Sequence, residues 1–187
     1  MMLGYAMCGS FCTMERSIEQ MKRLRALGYE IQPFMSEILY ETDTRFGQAE
    51  RFRKTVETIC QHKIVHTIPM AEPYGPGKGL DLLVISPCTG NTLAKLACGI
   101  TDTTVCMIAK AHLRNDRPVL IALATNDALS ANLANIGTLQ SRKNLYFVPL
   151  LQDDPEKKPH SLVADFDLLP NSVEAVLNGK RIGKLFG

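Results

Sequence analysis

Four short stretches carry the residues whose types and order could do chemistry, and each stands where an apolar run gives way to small polar residues. The first is Cys8-Gly9-Ser10-Phe11-Cys12-Thr13. Gly9 lets backbone approach a ligand closely, and a helix beginning just beyond it offers unpaired N–H groups and a positive dipole end. Ser10 and Thr13 add hydroxyl donors, so the stretch suits a phosphate; the same residues equally suit a helix cap. It is neither GxGxxG nor a P-loop. The second is Met35-Ser36, where Ser36 is either a turn former or, beside Gly9 in a sheet, one more phosphate contact. The third, Ser86-Pro87-Cys88-Thr89-Gly90-Asn91-Thr92, is far richer in polar groups than a plain strand-to-helix turn needs. Pro87, Thr89, Asn91 and Thr92 suit a planar heterocycle or a ribityl chain without bringing charge. Lys95, about one helical turn on, faces either an anion or solvent. The fourth is Ala124-Thr125-Asn126-Asp127, in which Thr125 or Asn126 caps a helix, or Asn126 offers its amide to a ring edge or a substrate.

Other reactive side chains are dispersed. Six cysteines (Cys8, Cys12, Cys60, Cys88, Cys98, Cys106) form no CxxC pair and no zinc-type spacing, so buried free thiols in a reducing compartment are expected, and no metal. His62, His66, His112 and His160 are possible proton-transfer groups, but none lies at one of the four strand ends, which leaves structural or surface roles as the default.

The elements that must position these stretches follow from the pattern of apolar residues. Short apolar runs alternate with helical periodicity, the signature of a three-layer, doubly wound parallel sheet of flavodoxin or Rossmann type. Strands are expected over residues 2–8, 30–35, 82–85, 118–122 and 145–148, the third opened by Asp81 and the last closing the sheet. Pro33 marks the second as an edge strand. Met14, Ile18, Met21, Leu24 and Leu27 form one helical stripe closed by Gly28. Further helices are expected over residues 46–60, 91–98, 103–113, 127–139 and 172–178. Residues 67–79, with Pro69, Pro73, Pro76 and three glycines, read as a long loop of functional or interface role. Residues 152–160 are polar and carry two prolines, a surface flap within a tail over 152–187. The chain of 187 residues reads as a single domain, with 21 Lys plus Arg against 19 Asp plus Glu. Such a balance gives no reason to expect nucleic acid or a membrane surface as a partner. The apolar start is too short for a signal peptide and no run approaches a membrane span, so a soluble cytoplasmic protein is expected.

Taken together, the four stretches resemble the flavoprotein family of FMN-dependent cysteine decarboxylases. In that family a Gly-Ser loop and a Ser or Thr after the second strand hold the FMN phosphate. A Pro-Ala-Thr/Ser-Ala-Asn-Thr turn contacts the flavin, and a Pro-x-Met-Asn segment approaches the substrate. Here the counterparts are Gly9-Ser10, Ser36, Pro87-Cys88-Thr89-Gly90-Asn91-Thr92 and Leu123-Ala124-Thr125-Asn126. The runs Thr42-Asp43-Thr44-Arg45-Phe46-Gly47, Ala71-Glu72-Pro73-Tyr74-Gly75-Pro76, Thr125-Asn126-Asp127-Ala128-Leu129 and Gln152-Asp153-Asp154-Pro155-Glu156-Lys157-Lys158-Pro159 resemble one branch of the family, the B subunits of dipicolinate synthases.

That resemblance implies FMN held by Gly9, Ser10, Thr13, Ser36, Pro87, Thr89, Asn91, Thr92 and Asn126. It implies a dipicolinate synthase A subunit that supplies NADP or NAD, and oxidation of dihydrodipicolinate to dipicolinate during sporulation. It also implies a homo-oligomer, because flavin sites in the family lie between subunits. A planar dicarboxylate asks for a basic pocket; Lys95, Lys157 and Lys158 are the candidates, with Lys110 and Arg114 behind them. The decarboxylases carry a catalytic His shortly before the central strand, whereas residues 72–80 hold none, and Leu123 and Thr125 replace the Pro and Met of the substrate segment. FMN-dependent decarboxylation therefore stands as the alternative, a non-catalytic assembly subunit as a further one, and no catalytic residue is assigned.

Overall fold

The computed structural model describes residues 1–75 and 79–186. Strand β1 (Met2–Met7) runs through the short 3-10 turn Phe11–Thr13 into helix α1 (Met14–Ala26). Met14, Ile18, Met21 and Leu24 are buried, but Leu27 is 65% exposed and lies off the stripe. The chain turns there on Gly28, whose φ of +90° is the left-handed conformation that glycine adopts without a Cβ clash. β2 (Glu30–Met35) follows, then the single-turn α2 (Glu37–Glu41) and α3 (Ala49–Cys60).

Helix α3 begins at Ala49, three residues later than the apolar spacing implied. Thr44 and Gly47 exchange backbone hydrogen bonds of 3.0 Å, and the Asp43 carboxylate accepts from Ala49 N at 2.8 Å. Asp43 thus caps α3 from a tight turn over residues 43–47 and stops the helix from extending back to Phe46. Residues 67–79, read as a loop, are partly helical. Thr67 caps α4 (Ile68–Ala71), and a 3-10 turn spans Glu72–Tyr74. Pro69 and Pro73 fall at first-turn positions, where a missing N–H costs nothing; Pro76 and the following glycine lie outside the described residues.

Next come β3 (Leu82–Cys88), α5 (Gly90–Cys98), α6 (Thr104–Leu113) and β4 (Val119–Thr125). Every residue of β3 is buried, as befits a strand covered on both faces. Fully burying each of its large aliphatic side chains contributes about 1.5–3 kcal/mol. α7 (Leu133–Gln140) starts six residues after Asp127, because the Asp127 carboxylate accepts from Thr125 and Asn132 and holds the intervening residues in turns. β5 (Leu145–Phe147), β6 (Leu150–Leu151), β7 (Leu162–Ala164) and α8 (Leu169–Leu177) complete the chain.

The sheet order is β2-β1-β3-β4-β7-β6, with β5 also beside β4. Strands β1 to β5 are parallel, and β2 is an outer strand, touched beyond only by a bridge between Phe34 and Val65. The parallel sheet read from the sequence is in fact mixed, since β7 runs antiparallel to both β4 and β6. The free side of β4 is divided: residues 119–121 pair with β5, while Ala124 and Thr125 pair with β7. The polar segment 152–160 is therefore the connection of a β6–β7 hairpin at the carboxyl end of β4. Helices α1 and α8 pack together over one face, while α5 packs on α6 and α7 across the other.

One polar cluster sits wholly within this core. The Tyr5 hydroxyl donates to Ser17 O at 2.9 Å and lies 3.0 Å from the hydroxyls of Ser17 and Ser86. Ser17 Oγ donates in turn to Ser86 O at 2.7 Å. All three residues are fully buried, and burial pushes the Tyr5 phenol up to about 12. Cys8, Cys60, Cys88 and Cys106 are buried free thiols, whereas Cys12 and Cys98 are exposed, against the expectation for all six.

Candidate functional site

The carboxyl ends of β1, β3 and β4 open onto one cleft of about 600 Å³, the position where ligands bind in open α/β sheets. At the β1 end, Ser10 N donates to Cys8 O at 2.8 Å and Thr13 N to Ser10 O at 3.2 Å, which folds the chain back into the 3-10 turn. Neither Ser10 nor Thr13 caps the helix with its side chain. Instead Thr13 Oγ1 donates within the turn, 3.1 Å from Ser10 O and 3.0 Å from Ser10 Oγ. Gly9, Ser10 and Thr13 all line it. A Cβ on Gly9 would meet the Phe11 ring at 3.3 Å, a tight but adjustable contact.

Ser36 behaves differently. Its hydroxyl accepts from Leu39 N at 3.4 Å and caps α2, and it does not line the cleft. At the β3 end, Thr89 lines the cleft while capping α5, accepting from Thr92 N at 3.2 Å. The other three residues singled out in this turn are not in the wall. Pro87 is buried with its carbonyl accepting from Cys8 N at 3.1 Å, and Thr92 is buried with its hydroxyl donating to Cys8 Sγ at 3.3 Å. Asn91 is exposed on α5, away from the cleft. Gly90 takes a place in the wall where a side chain would have to displace its neighbours. A Cβ there would stand 2.4 Å from Thr125 Oγ1, 2.7 Å from Asn132 Nδ2 and 3.0 Å from Asp127 Oδ1.

At the β4 end, Asn126 is exposed and lines the cleft, and neither it nor Thr125 caps α7. Thr125 Oγ1 donates to Asp127 Oδ1 at 2.6 Å, and Asn132 Nδ2 donates to both Asp127 oxygens at 2.9 Å. The Thr125 hydrogen bond leads in holding the Asp127 carboxyl below its ordinary range, against a smaller opposing effect of burial. The hairpin connection closes the fourth side: Ser161 Oγ donates to Thr125 O at 3.2 Å and Leu129 N to His160 O at 2.9 Å.

The cations of the cleft are mostly not those picked from the sequence. Lys158 does line it, paired with Asp153 at 2.9 Å. Burial works against charge on Asp153, but hydrogen bonds from Lys158 and Ser161 outweigh it and keep the carboxyl below its usual range. Lys157 is exposed and outside the wall. Lys95 is spent on Asp102 at 2.8 and 2.9 Å, and Lys110 and Arg114 lie exposed on and just beyond α6. In their place stand Arg16 and Arg45, accompanied by Phe46. Arg16 follows Thr13 by one turn, which the sequence displayed; Arg45 lies in a run quoted only for its resemblance.

Among the described residues no histidine lines the cleft. His66 stacks on Tyr40 with ring centroids 3.6 Å apart, and His160 is exposed. His112 is buried, and burial followed by the nearby Arg117 pushes it down to about 4, so it stays neutral. Among the described residues no group of three or more His, Cys, Asp or Glu could hold a metal ion, and no helix is long and apolar enough to cross a membrane.

A family model described as Flavoprotein matches residues 3–167. The chain belongs to the Flavoprotein family. Its match takes in the three strand ends of the cleft and the hairpin beside them. Within the family, the chain is 43% identical over 175 residues to the dipicolinate synthase B subunit of Bacillus subtilis (strain 168), covering 94% of this chain and 88% of the relative. It superposes on the crystal structure of the dipicolinate synthase B subunit from Bacillus halodurans with a TM-score of 0.91 at 41% identity, covering 100% and 95% of the two chains. A dodecameric FMN-dependent Ubix-like decarboxylase from Escherichia coli O157:H7 shares the flavoprotein fold at a TM-score of 0.64 and 22% identity, over 80% of each chain.

Proposed function

We propose that this chain is the B subunit of a dipicolinate synthase, working in the cytoplasm of a sporulating cell together with the A subunit of that enzyme. The observation that carries this is the 41% identity and full-length superposition on the Bacillus halodurans protein, which takes in every residue of the cleft wall. The reaction would be oxidation of dihydrodipicolinate to dipicolinate, with two electrons and a proton passing as hydride to NADP or NAD held by the A subunit and a second proton released. Assembly as a homo-oligomer belongs to the same reading, supported by the dodecameric flavoprotein relative.

The residues present fit FMN. Gly9 backbone, the Ser10 hydroxyl and Arg16 would take its phosphate at the start of α1. Thr89 and Asn126 would border the ring from the ends of β3 and β4. Bound there, FMN would supply a two-electron acceptor beside the substrate. Ser36 would act one step back, by fixing α2, rather than as a phosphate ligand. Exclusion of water would fall to the hairpin connection, tied to the β4 end by Ser161 on Thr125 O and by Leu129 N on His160 O, and braced internally by the Lys158–Asp153 pair. The absence of a histidine from the wall weighs against His-dependent decarboxylation.

Purifying the chain by itself and with its A subunit, recording flavin absorbance and assaying dipicolinate formation with a nicotinamide cofactor tests each part. Dipicolinate formation that needs both proteins is expected. Full activity without this chain would reduce it to an assembly role, and a chain that stays colourless with added FMN would remove the flavin. Carbon dioxide released from a cysteine-containing substrate would favour the decarboxylase alternative.

A further inference from the structure

The turn over residues 43–47 is built with more care than a link between two helices needs. Thr44 and Gly47 bond to one another in both directions at 3.0 Å, Phe46 N donates to Thr44 Oγ1 at 3.2 Å, and Asp43 caps α3. Gly47 has φ +149°, and a Cβ there would meet the Phe52 ring at 3.1 Å, so the turn is pressed onto the helix behind it. All of its internal polar work is done by Asp43, Thr44 and Gly47. The two large side chains at its tip, Arg45 and Phe46, are left over, and both line the cleft. Phe46 is 42% exposed, unusual for a phenylalanine with no need to be at a surface. The Arg45 guanidinium sits 4.9 Å from the Phe46 ring centroid and meets no carboxylate among the described residues.

A guanidinium beside an aromatic face is a receptor for a flat ring that carries a carboxylate. The fork of N–H donors takes the carboxylate and the ring takes the heterocycle. We infer that Arg45 and Phe46 form the substrate-recognition tip of the cleft, binding one carboxylate and the ring of a planar aromatic dicarboxylate. The inference rests on the dipicolinate synthase reading and names the residues that make it selective. Arg16 is the second cation of the cleft wall. It lies one turn into the sequence after Thr13, with its guanidinium 5.0 Å from the Phe166 ring centroid.

The test uses the full chain in complex with its A subunit and loaded with FMN, titrated calorimetrically with pyridine-2,6-dicarboxylate, and separately the full chain titrated with FMN. Arg45→Gln should weaken the dicarboxylate about tenfold or more, the usual scale for a lost charge-assisted contact, and leave FMN within about twofold. Phe46→Ala should weaken the dicarboxylate several-fold, and Arg16→Gln should weaken FMN instead. An Arg45→Gln complex that binds the dicarboxylate as well as the parent, or one that loses FMN to the same degree, overturns the assignment. So does a parent complex that shows no dicarboxylate binding at millimolar concentration. Synthesis that proceeds with an unchanged KM in Arg45→Gln would sink the tip while sparing the proposed activity. Dicarboxylate binding that depends on Arg45 without any synthesis would sink the activity while sparing the tip.

Discussion

Two groups of polar side chains near the ends of the central strands meet opposite fates in this molecule. The Tyr5–Ser17–Ser86 cluster lies at the junction of β1, α1 and β3, fully buried, with each hydroxyl engaged by the others or by a backbone carbonyl. The cleft wall, at the carboxyl ends of β1, β3 and β4, holds Ser10, Arg16, Arg45 and Asn126 facing the open cleft. A satisfied cluster fixes a core, because breaking it strands a buried polar group. An unsatisfied cluster at a surface costs little to maintain in water and has bonds to offer a ligand. Polarity at a strand end thus says little about function until its partners are counted.

The largest effect that separates the clusters is expected from Tyr5→Phe. It removes the hub hydroxyl and should cost about 1–3 kcal/mol, read by urea denaturation, with FMN affinity unchanged once the protein is folded. A variant as stable as the parent would break the comparison. Ser10→Ala should do the reverse: stability within about 0.5 kcal/mol of the parent, but FMN affinity down about five- to tenfold, or roughly 1–1.4 kcal/mol, by flavin fluorescence titration.

The smallest effect belongs to Asp127, at the border of the two behaviours, where hydrogen bonds to Thr125 and Asn132 depress the carboxyl. A depressed folded-state value means that the stabilisation is fully present above the unfolded value of about 3.9 and is lost as pH falls through the lower, folded one. Asp127→Asn should therefore flatten the acid limb of a stability-versus-pH curve and shift its neutral region by a uniform offset. An unchanged acid limb would show that the carboxylate is not part of the lock.

The sequence was most legible where a single physical rule governs. The buried run of β3, the left-handed Gly28 and the edge position of β2 with Pro33 all follow from burial, φ preference and a missing donor. Gly9, Ser10, Thr13, Thr89 and Asn126 reach the cleft because each sits at a strand end or on the turn leaving it. Legibility failed where side chains override periodicity. Asp43 and Asp127 each accept from groups several residues away and so shift the starts of α3 and α7, which apolar spacing alone does not reveal. The β6–β7 hairpin was missed because two- and three-residue strands carry too few alternations to read. Lys95 looked free for an anion until Asp102 appeared beside it, and no local signal gives the direction of Arg45.

The glycine in the cleft wall ties its neighbours to one another. The decarboxylase-type sequences that it resembles carry alanine at the place of Gly90 and methionine at the place of Thr125. Here a methyl group at position 90 would fall 2.4 Å from Thr125 Oγ1 and within 3.0 Å of atoms of Asn132 and Asp127. The Thr125–Asp127–Asn132 cluster and the bare backbone at Gly90 therefore presuppose each other. An alanine at position 90 would have to displace the ends of the Thr125, Asn132 and Asp127 side chains. Positions 90 and 125 are thus exchangeable together and not one at a time.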